Sequence, residues 1–177
     1  MKKNKPVLLF LLRFFVSYFI LSGLYQWYLR ENQQTETVYA CCPVTEMVAN
    51  HTVGLGNFFG YNFSHIQHTE ELSFKLFTDD NYIARIVEGC NSISVIILFW
   101  AFIIAFTGNW KKTILFGLAG SLLIYALNIL RIVFISVAMG SYPQYTEFLH
   151  QIIFPAVIYG FTFLLWVVWV KYFATTS

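Results

Sequence analysis

Residues 113–139, TILFGLAGSLLIYALNILRIVFISVAM, form one apolar stretch whose only charged side chain is that of Arg131. A helix rises about 1.5 Å per residue, so about 20 apolar residues cross a hydrocarbon core about 30 Å thick. The stretch is long enough to span a membrane, and tilt can absorb its excess length. An arginine inside such a helix costs about 2.5 to 3.5 kcal/mol on insertion scales. We therefore expect Arg131, with Asn128 one turn earlier on the same face, to point into a helix bundle.

Three other apolar stretches, at residues 7–29, 91–107 and 151–170, also meet or approach this length. The chain has 58% hydrophobic and 11% charged residues, whereas a soluble domain carries about a quarter charged residues. The first stretch is too long for a signal peptide and is followed by no small-x-small cleavage site, so we expect it to be retained. The sequence predicts an all-α integral membrane bundle of about four transmembrane helices.

The distribution of charge predicts the orientation of this bundle. Basic residues in short segments flanking membrane helices face the cytoplasm. They lie in the N-terminal tail, after the second stretch and after the fourth: Lys2, Lys3, Lys5, Lys111, Lys112 and Lys171. All nine carboxylates and all four histidines lie in the segments assigned to the other side. Both termini are therefore predicted to be cytoplasmic.

The long segment at residues 30–89 is predicted to be extracytoplasmic, between a first part at 1–29 and a membrane core at 90–177. Glu46, Asn50 and His51 argue against a further span within it. Near its end Leu72, Phe74 and Leu76 alternate with polar neighbours. An Asp-Asp-Asn turn and a second strand-like run, ending at Val87, follow them. This pattern predicts a β-hairpin that leads into the second membrane helix.

Cys90 is the candidate nucleophile, since it opens the second membrane helix. The reactive species of cysteine is the thiolate, which a helix N-terminus or a nearby cation stabilises. Arg131 is the expected cation, and Glu88, Asn91 and Asn128 are expected to support the site. The alternative is that Cys90 is a small apolar core residue, as free cysteines commonly are.

His150, at the outer end of the fourth stretch, is the candidate general acid and base, because its ordinary pKa lies near neutrality. Arg131 would stabilise an oxyanion or the thiolate; the alternative is that it only pairs with carbonyls or an acid to hold helices together. The other histidines show no recognised metal-ligand spacing, and neither a metal nor a cofactor is predicted. Nucleic-acid binding has no basic tract to support it. The redox state of Cys41 and Cys42 stays open.

Three short motifs resemble those of the exosortase/archaeosortase family. Residues 87–92, VEGCNS, resemble its cysteine motif, and residues 128–132, NILRI, resemble its Asn-x-x-Arg motif. His150, ahead of a helix that contains Gly160, matches the third. The resemblance covers the chain from about Tyr82 to the C-terminus and is nearest to the short XrtF-like variant.

This resemblance implies that the chain cuts a C-terminal sorting signal from translocated, membrane-tethered proteins and passes them to an acceptor. It assigns the nucleophile to Cys90, anion stabilisation to Arg131 and proton transfer to His150. Many relatives have Ala-Cys-Ser-Gly where this chain has Gly89-Cys90-Asn91-Ser92, and many have more spans. Two other hypotheses from the residues are a non-enzymatic scaffold or secretion-complex subunit, and a transporter, which four spans without inverted repeats disfavour.

Overall fold

The computed structural model of the chain describes residues 5–33, 39–106, 109–141, 144 and 148–173; at positions 141, 150 and 154 it describes the backbone but not the side chain. Within these residues the chain forms five α-helices and one small sheet. In chain order the elements are α1 (Lys5–Asn32), α2 (Pro43–Phe58), β1 (Phe63–Gln67), β2 (Ser73–Thr78), β3 (Asn81–Val87), a 3-10 turn (Glu88–Asn91), α3 (Ile93–Ala105), α4 (Trp110–Ser141), a π-helical turn (Leu149–Ile153) and α5 (Phe154–Tyr172).

Three helical segments are long and apolar enough to cross a membrane: Lys5–Asn32, Trp110–Gly140 and Gln151–Tyr172. The fourth predicted span, at residues 91–107, is helical over 13 residues in α3, or about 20 Å. It is shorter because Ser92 adopts a left-handed conformation (φ 61°) before it and Phe106 is extended after it. The chain is thus a mostly helical, multi-pass membrane protein.

The sheet contains the predicted hairpin and one strand more. β2 and β3 pair antiparallel around a turn in which Asp79 and Asp80 have positive φ, a conformation that aspartate tolerates. β1 pairs antiparallel with β2, so the strand order is β1-β2-β3. β1 was not predicted, since only two of its five residues have apolar side chains. Phe63 anchors β1 against Gly56 of α2, where a side chain on the glycine would collide with the Phe63 ring.

The two ends of α4 pack against different partners. In the half towards Trp110, Ile124 is buried with Phe99 of α3 and Trp169 of α5. In the other half, Ile129 and Ile132 are buried with α2 and with β2 and β3. One half of α4 therefore packs against α3 and α5, and the other half packs against α2 and the sheet. Asn128 and Arg131 lie where the two kinds of packing meet.

Candidate functional site

Cys90 lies on the 3-10 turn that joins β3 to α3 and is partly buried. Its side chain lines a cavity of about 210 Å³ together with Arg131 of α4. The remaining wall comes from β3 and from the last turns of α4, including Tyr82, Ile135 and Met139. The cavity thus opens between the sheet and α4. It brings together two of the three residues that the sequence singles out for catalysis.

Asn128 connects these two residues. Its side chain is fully buried, and its Nδ2 donates a hydrogen bond of 2.7 Å to the carbonyl oxygen of Cys90. Its Oδ1 accepts a bond of 3.3 Å from Nη1 of Arg131. One amide therefore fixes the backbone of the cysteine and orients the guanidinium group.

Arg131 reaches a second cavity on the side of α5. This cavity measures about 170 Å³ and is lined by Arg131, Gly89, Pro155 and Ile158, among others. Nε of Arg131 is buried and has no hydrogen-bond partner among the described residues. Arg131 thus lines both cavities and has one donor without a partner among the described residues.

His150 lies on the π-helical turn that precedes α5. Its side chain lies outside the described part of the chain, so its position relative to Cys90 is not described. Pro155 and Ile158, a short way along the same helix, line the cavity that Arg131 enters. The backbone therefore brings the start of the His150-bearing helix to the side of α4 that carries Arg131.

Glu88, predicted to support the site, turns away from Cys90 towards the start of α2. Its Oε1 accepts a 2.7 Å bond from the backbone N–H of Cys42, the residue before the first turn of α2. Its Oε2 accepts bonds from the Cys42 thiol, at 3.0 Å, and from the Thr45 hydroxyl. An acidic group is favourable at a helix N-terminus, so Glu88 ties the cysteine-bearing turn to α2.

Asn91 ties the same turn to α1. Its buried Nδ2 donates to the Tyr25 hydroxyl at 2.6 Å and to the Thr45 hydroxyl at 3.2 Å. Its Oδ1 accepts a 3.0 Å bond from the N–H of Ile93, which satisfies a donor at the start of α3. The sequence analysis did not identify Thr45 or Tyr25, since each lies more than 40 positions before Asn91.

All three cysteines have free thiols. Burial raises the pKa of the Cys41 thiol to about 11. Burial, followed by the hydrogen bond to Glu88, also raises the pKa of the Cys42 thiol. Both thiols are therefore poor nucleophiles at neutral pH. Cys90 differs from them in lining a cavity next to a cation.

His51, His65 and His68 each have a hydrogen-bond partner away from Cys90 and Arg131. His51 is bonded to the Tyr125 hydroxyl at 2.7 Å and His65 to the amide oxygen of Asn50 at 2.9 Å. His68 accepts a bond from the N–H of Glu70. In the part of the chain that the structure describes, no three His, Cys, Asp or Glu side chains are grouped so as to hold a metal ion.

Most of the chain, including Cys90, Arg131 and His150, matches one protein family. A family model described as transmembrane exosortase (Exosortase_EpsH) matches residues 35–170. The chain belongs to the transmembrane exosortase family. Comparisons with curated proteins and with solved structures found no match. The predicted family is thereby confirmed, and the match extends well before Tyr82, over α2 and the whole sheet.

For an exosortase-family chain, the site offers a thiol, a neighbouring cation and an open space between them. A cation held in a low-dielectric setting can stabilise an anion far better than it can in water. Asn128 is hydrogen-bonded to both residues, and Asn91 fixes the turn that carries the thiol. The arrangement suits acyl transfer to a thiol.

Proposed function

We propose that this exosortase-family chain is a membrane-embedded cysteine transpeptidase or protease. Its substrate would be a translocated protein tethered to the membrane by a C-terminal transmembrane sorting signal, which it cleaves and transfers to an acceptor. The observation that carries the proposal is the cavity shared by Cys90 and Arg131, with Asn128 hydrogen-bonded to both residues. A membrane tether raises the local concentration of the scissile bond at this depth.

In the proposed reaction the Cys90 thiolate attacks a peptide carbonyl carbon, and Arg131 stabilises the oxyanion that forms. The C–N bond then breaks, His150 donates a proton to the leaving amine, and a thioester to Cys90 remains. The acceptor attacks this thioester after giving its proton to His150, and Cys90 leaves as the thiolate. Water as acceptor makes the protein a protease, and an amine or hydroxyl group makes it a transpeptidase.

The proposed topology has four spans, with both termini in the cytoplasm and the site on the extracytoplasmic side of the inner membrane. The basic residues that flank α1, α4 and α5 support this orientation. α3 would cross as a short span, with the bilayer thinning around it. The apolar composition of α3 and its position between α1 and α4 support a short span.

The rival hypothesis is a non-enzymatic scaffold or a subunit of a secretion complex. The same hydrogen bonds favour it, because the contacts that Asn128 and Asn91 make would hold helices together in a protein without activity. The cavity beside Cys90, together with an Arg131 Nε that has no hydrogen-bond partner among the described residues, favours an enzyme, since both leave room for a substrate.

The test is a Cys90→Ala variant in cells that express a candidate substrate. The candidate is a secreted protein from the same genome that ends in an apolar helix and a basic tail, carrying one epitope on each side of the helix. The enzyme hypothesis predicts that the variant accumulates in the membrane while the two epitopes stay joined. Ser94→Ala, an exposed change one turn away on α3, is the matched control and should leave cleavage intact. Normal cleavage by the Cys90→Ala protein would favour the scaffold.

A further inference from the structure

A third cavity lies at the opposite end of the bundle from Cys90. Its volume is about 430 Å³, and it opens between α1, the end of α3 and the start of α4. Arg13 and Ser17 of α1 line one side, and Ile104 and Phe106 line another. Trp110 completes the rim. The proposed reaction uses none of these residues.

Arg13 lies eight residues into α1 from Lys5, or about 12 Å along the axis. Among the residues that the structure describes, it has no hydrogen bond or ion pair with the rest of the chain. An unpaired guanidinium at this depth of a membrane helix is unfavourable and is normally compensated by an acid, carbonyls or water. No Asp or Glu side chain is close in the sequence, because all nine lie between residues 31 and 88 or at 147.

The surroundings of the cavity place it at the level of lipid headgroups. The Trp110 side chain is 69% exposed, and tryptophan concentrates at the membrane–water interface. Lys111 and Lys112 follow it and are exposed. The N-terminus of α4 adds its partial positive charge on the same side. Arg13, Lys111, Lys112 and the N-terminus of α4 therefore place positive charge at one end of the bundle, where the sequence has no Asp or Glu.

The apolar residues that line the cavity favour an anion that also carries an apolar group. Val16, Ile104 and Phe106 are apolar and lie beside the Arg13 guanidinium. A small inorganic anion would gain the charge of Arg13 but leave these walls uncovered. A phospholipid satisfies both, since its phosphate can accept from a guanidinium group and its acyl chain can cover apolar side chains.

We propose that this cavity binds one anionic phospholipid of the leaflet at the Lys5 end of α1. The phosphate group bonds to Arg13, and the upper part of an acyl chain lies against α1 and α3. Lys111 and Lys112 add attraction for a net negative headgroup, which favours phosphatidylglycerol over a zwitterionic lipid. The bound lipid would join α1 to the α3–α4 pair, independently of any catalysis at Cys90.

The experiment uses the purified full-length protein in detergent, titrated with short-chain phosphatidylglycerol and followed by native mass spectrometry. Phosphatidylcholine of the same chain length and inorganic phosphate are titrated in parallel. We expect one tightly bound phosphatidylglycerol and much weaker binding of the other two. Equal binding of phosphatidylcholine, or occupancy by inorganic phosphate that prevents lipid binding, would overturn the proposal.

Three variants locate the binding site. Arg13→Gln removes the guanidinium and should weaken binding about tenfold or more, as loss of a charge-assisted hydrogen bond does. Ser17→Leu keeps every charge but fills the cavity, so it should weaken binding to a similar extent. This variant tests the site independently of whether Arg13→Gln folds. Lys171→Gln removes a charge at the same end of the bundle without touching this cavity and should change nothing. If Lys171→Gln weakens binding as much as the other two, attraction is diffuse and the site does not exist.

Discussion

Asn128 donates a 2.7 Å hydrogen bond from its side-chain amide to the carbonyl oxygen of Cys90, joining the middle of α4 to the turn before α3. The amide is fully buried, and its oxygen accepts a bond from Arg131. Both of its functional groups are therefore committed to the site. The position of the cysteine backbone depends on a residue 38 positions later in the chain.

Replacing Asn128 with Leu leaves the Cys90 carbonyl and the Arg131 guanidinium without this partner. An unsatisfied buried polar group costs about 1 to 3 kcal/mol, so we expect a lower unfolding midpoint in detergent and reduced substrate cleavage. Asn128→Asp should restore an acceptor for Arg131 but not the donor to Cys90, and cleavage should stay low. Leu130→Ala, an exposed change on the same helix, is the control. Full cleavage by both Asn128 variants would show that the hydrogen bond does not position the nucleophile.

The role of the Arg131 charge is separated from that of its hydrogen bond by comparing Arg131→Lys with Arg131→Gln. If Arg131 stabilises an oxyanion, Gln should lower the single-turnover cleavage rate by about a hundredfold or more, and Lys by less. If Arg131 only anchors Asn128, the two variants should be equally impaired, since lysine does not reproduce the planar guanidinium. Cleavage rates are compared at equal amounts of membrane-inserted protein.

The membrane helices and the hairpin could be predicted because long apolar runs and period-two alternation are local properties of the sequence. The proximity of Asn128 and Arg131 also follows from helical spacing. The half of α4 towards Ser141 was harder to interpret. Its apolar residues Ile129, Ile132 and Val133 are buried against α2 and the sheet, and an apolar pattern alone does not distinguish lipid from a protein core.

The contacts of Glu88 could not be predicted from the sequence. Glu88 was expected to assist Cys90, two positions away, but its carboxyl group is bonded to Cys42 and Thr45, more than 40 positions earlier. Such contacts depend on how α2 packs against the bundle. β1 was missed for a related reason, since pairing with β2 rather than its own pattern defines it as a strand.

Glu88→Ala should lower the stability of the protein more than the replacement of an exposed acid does. The change removes the acceptor of the Cys42 N–H, and an unsatisfied buried N–H costs about 1 to 3 kcal/mol. It also removes one of the partners of the buried Thr45 hydroxyl, which keeps its bond from Asn91. The control is Glu71→Gln, which breaks the exposed Arg85–Glu71 ion pair, worth about 0 to 1 kcal/mol. Unfolding midpoints in detergent compare the two. A similar loss in both would mean that the Glu88 cluster contributes no more than a surface ion pair.

Thiol labelling should distinguish Cys90 from the other two cysteines. With its pKa raised to about 11, Cys41 has about one thiolate in a thousand at pH 8, and Cys42 is fully buried beside Glu88. We expect iodoacetamide at pH 8 to modify Cys90 first, as mapped by peptide mass spectrometry on the folded protein. The Cys90→Ala protein should lack this rapidly labelled cysteine. Equally rapid labelling of Cys41 or Cys42 would contradict the packing of α2 against the turn.

Acid should destabilise the packing of α2 against the sheet through His65. Burial lowers the pKa of this ring, an effect that the nearby Glu46 partly opposes, and Nδ1 is buried without a hydrogen-bond partner among the described residues. The ring packs edge-on against Phe74. The unfolded chain therefore binds a proton at a higher pH than the folded chain does, so the free energy of unfolding falls as the pH drops below about 6.5.

His65→Gln can keep a hydrogen bond to Asn50 but does not titrate. We expect the unfolding midpoint to fall further between pH 7.5 and 5.5 in the wild type than in this variant, and equal decreases would place the His65 ring in solvent.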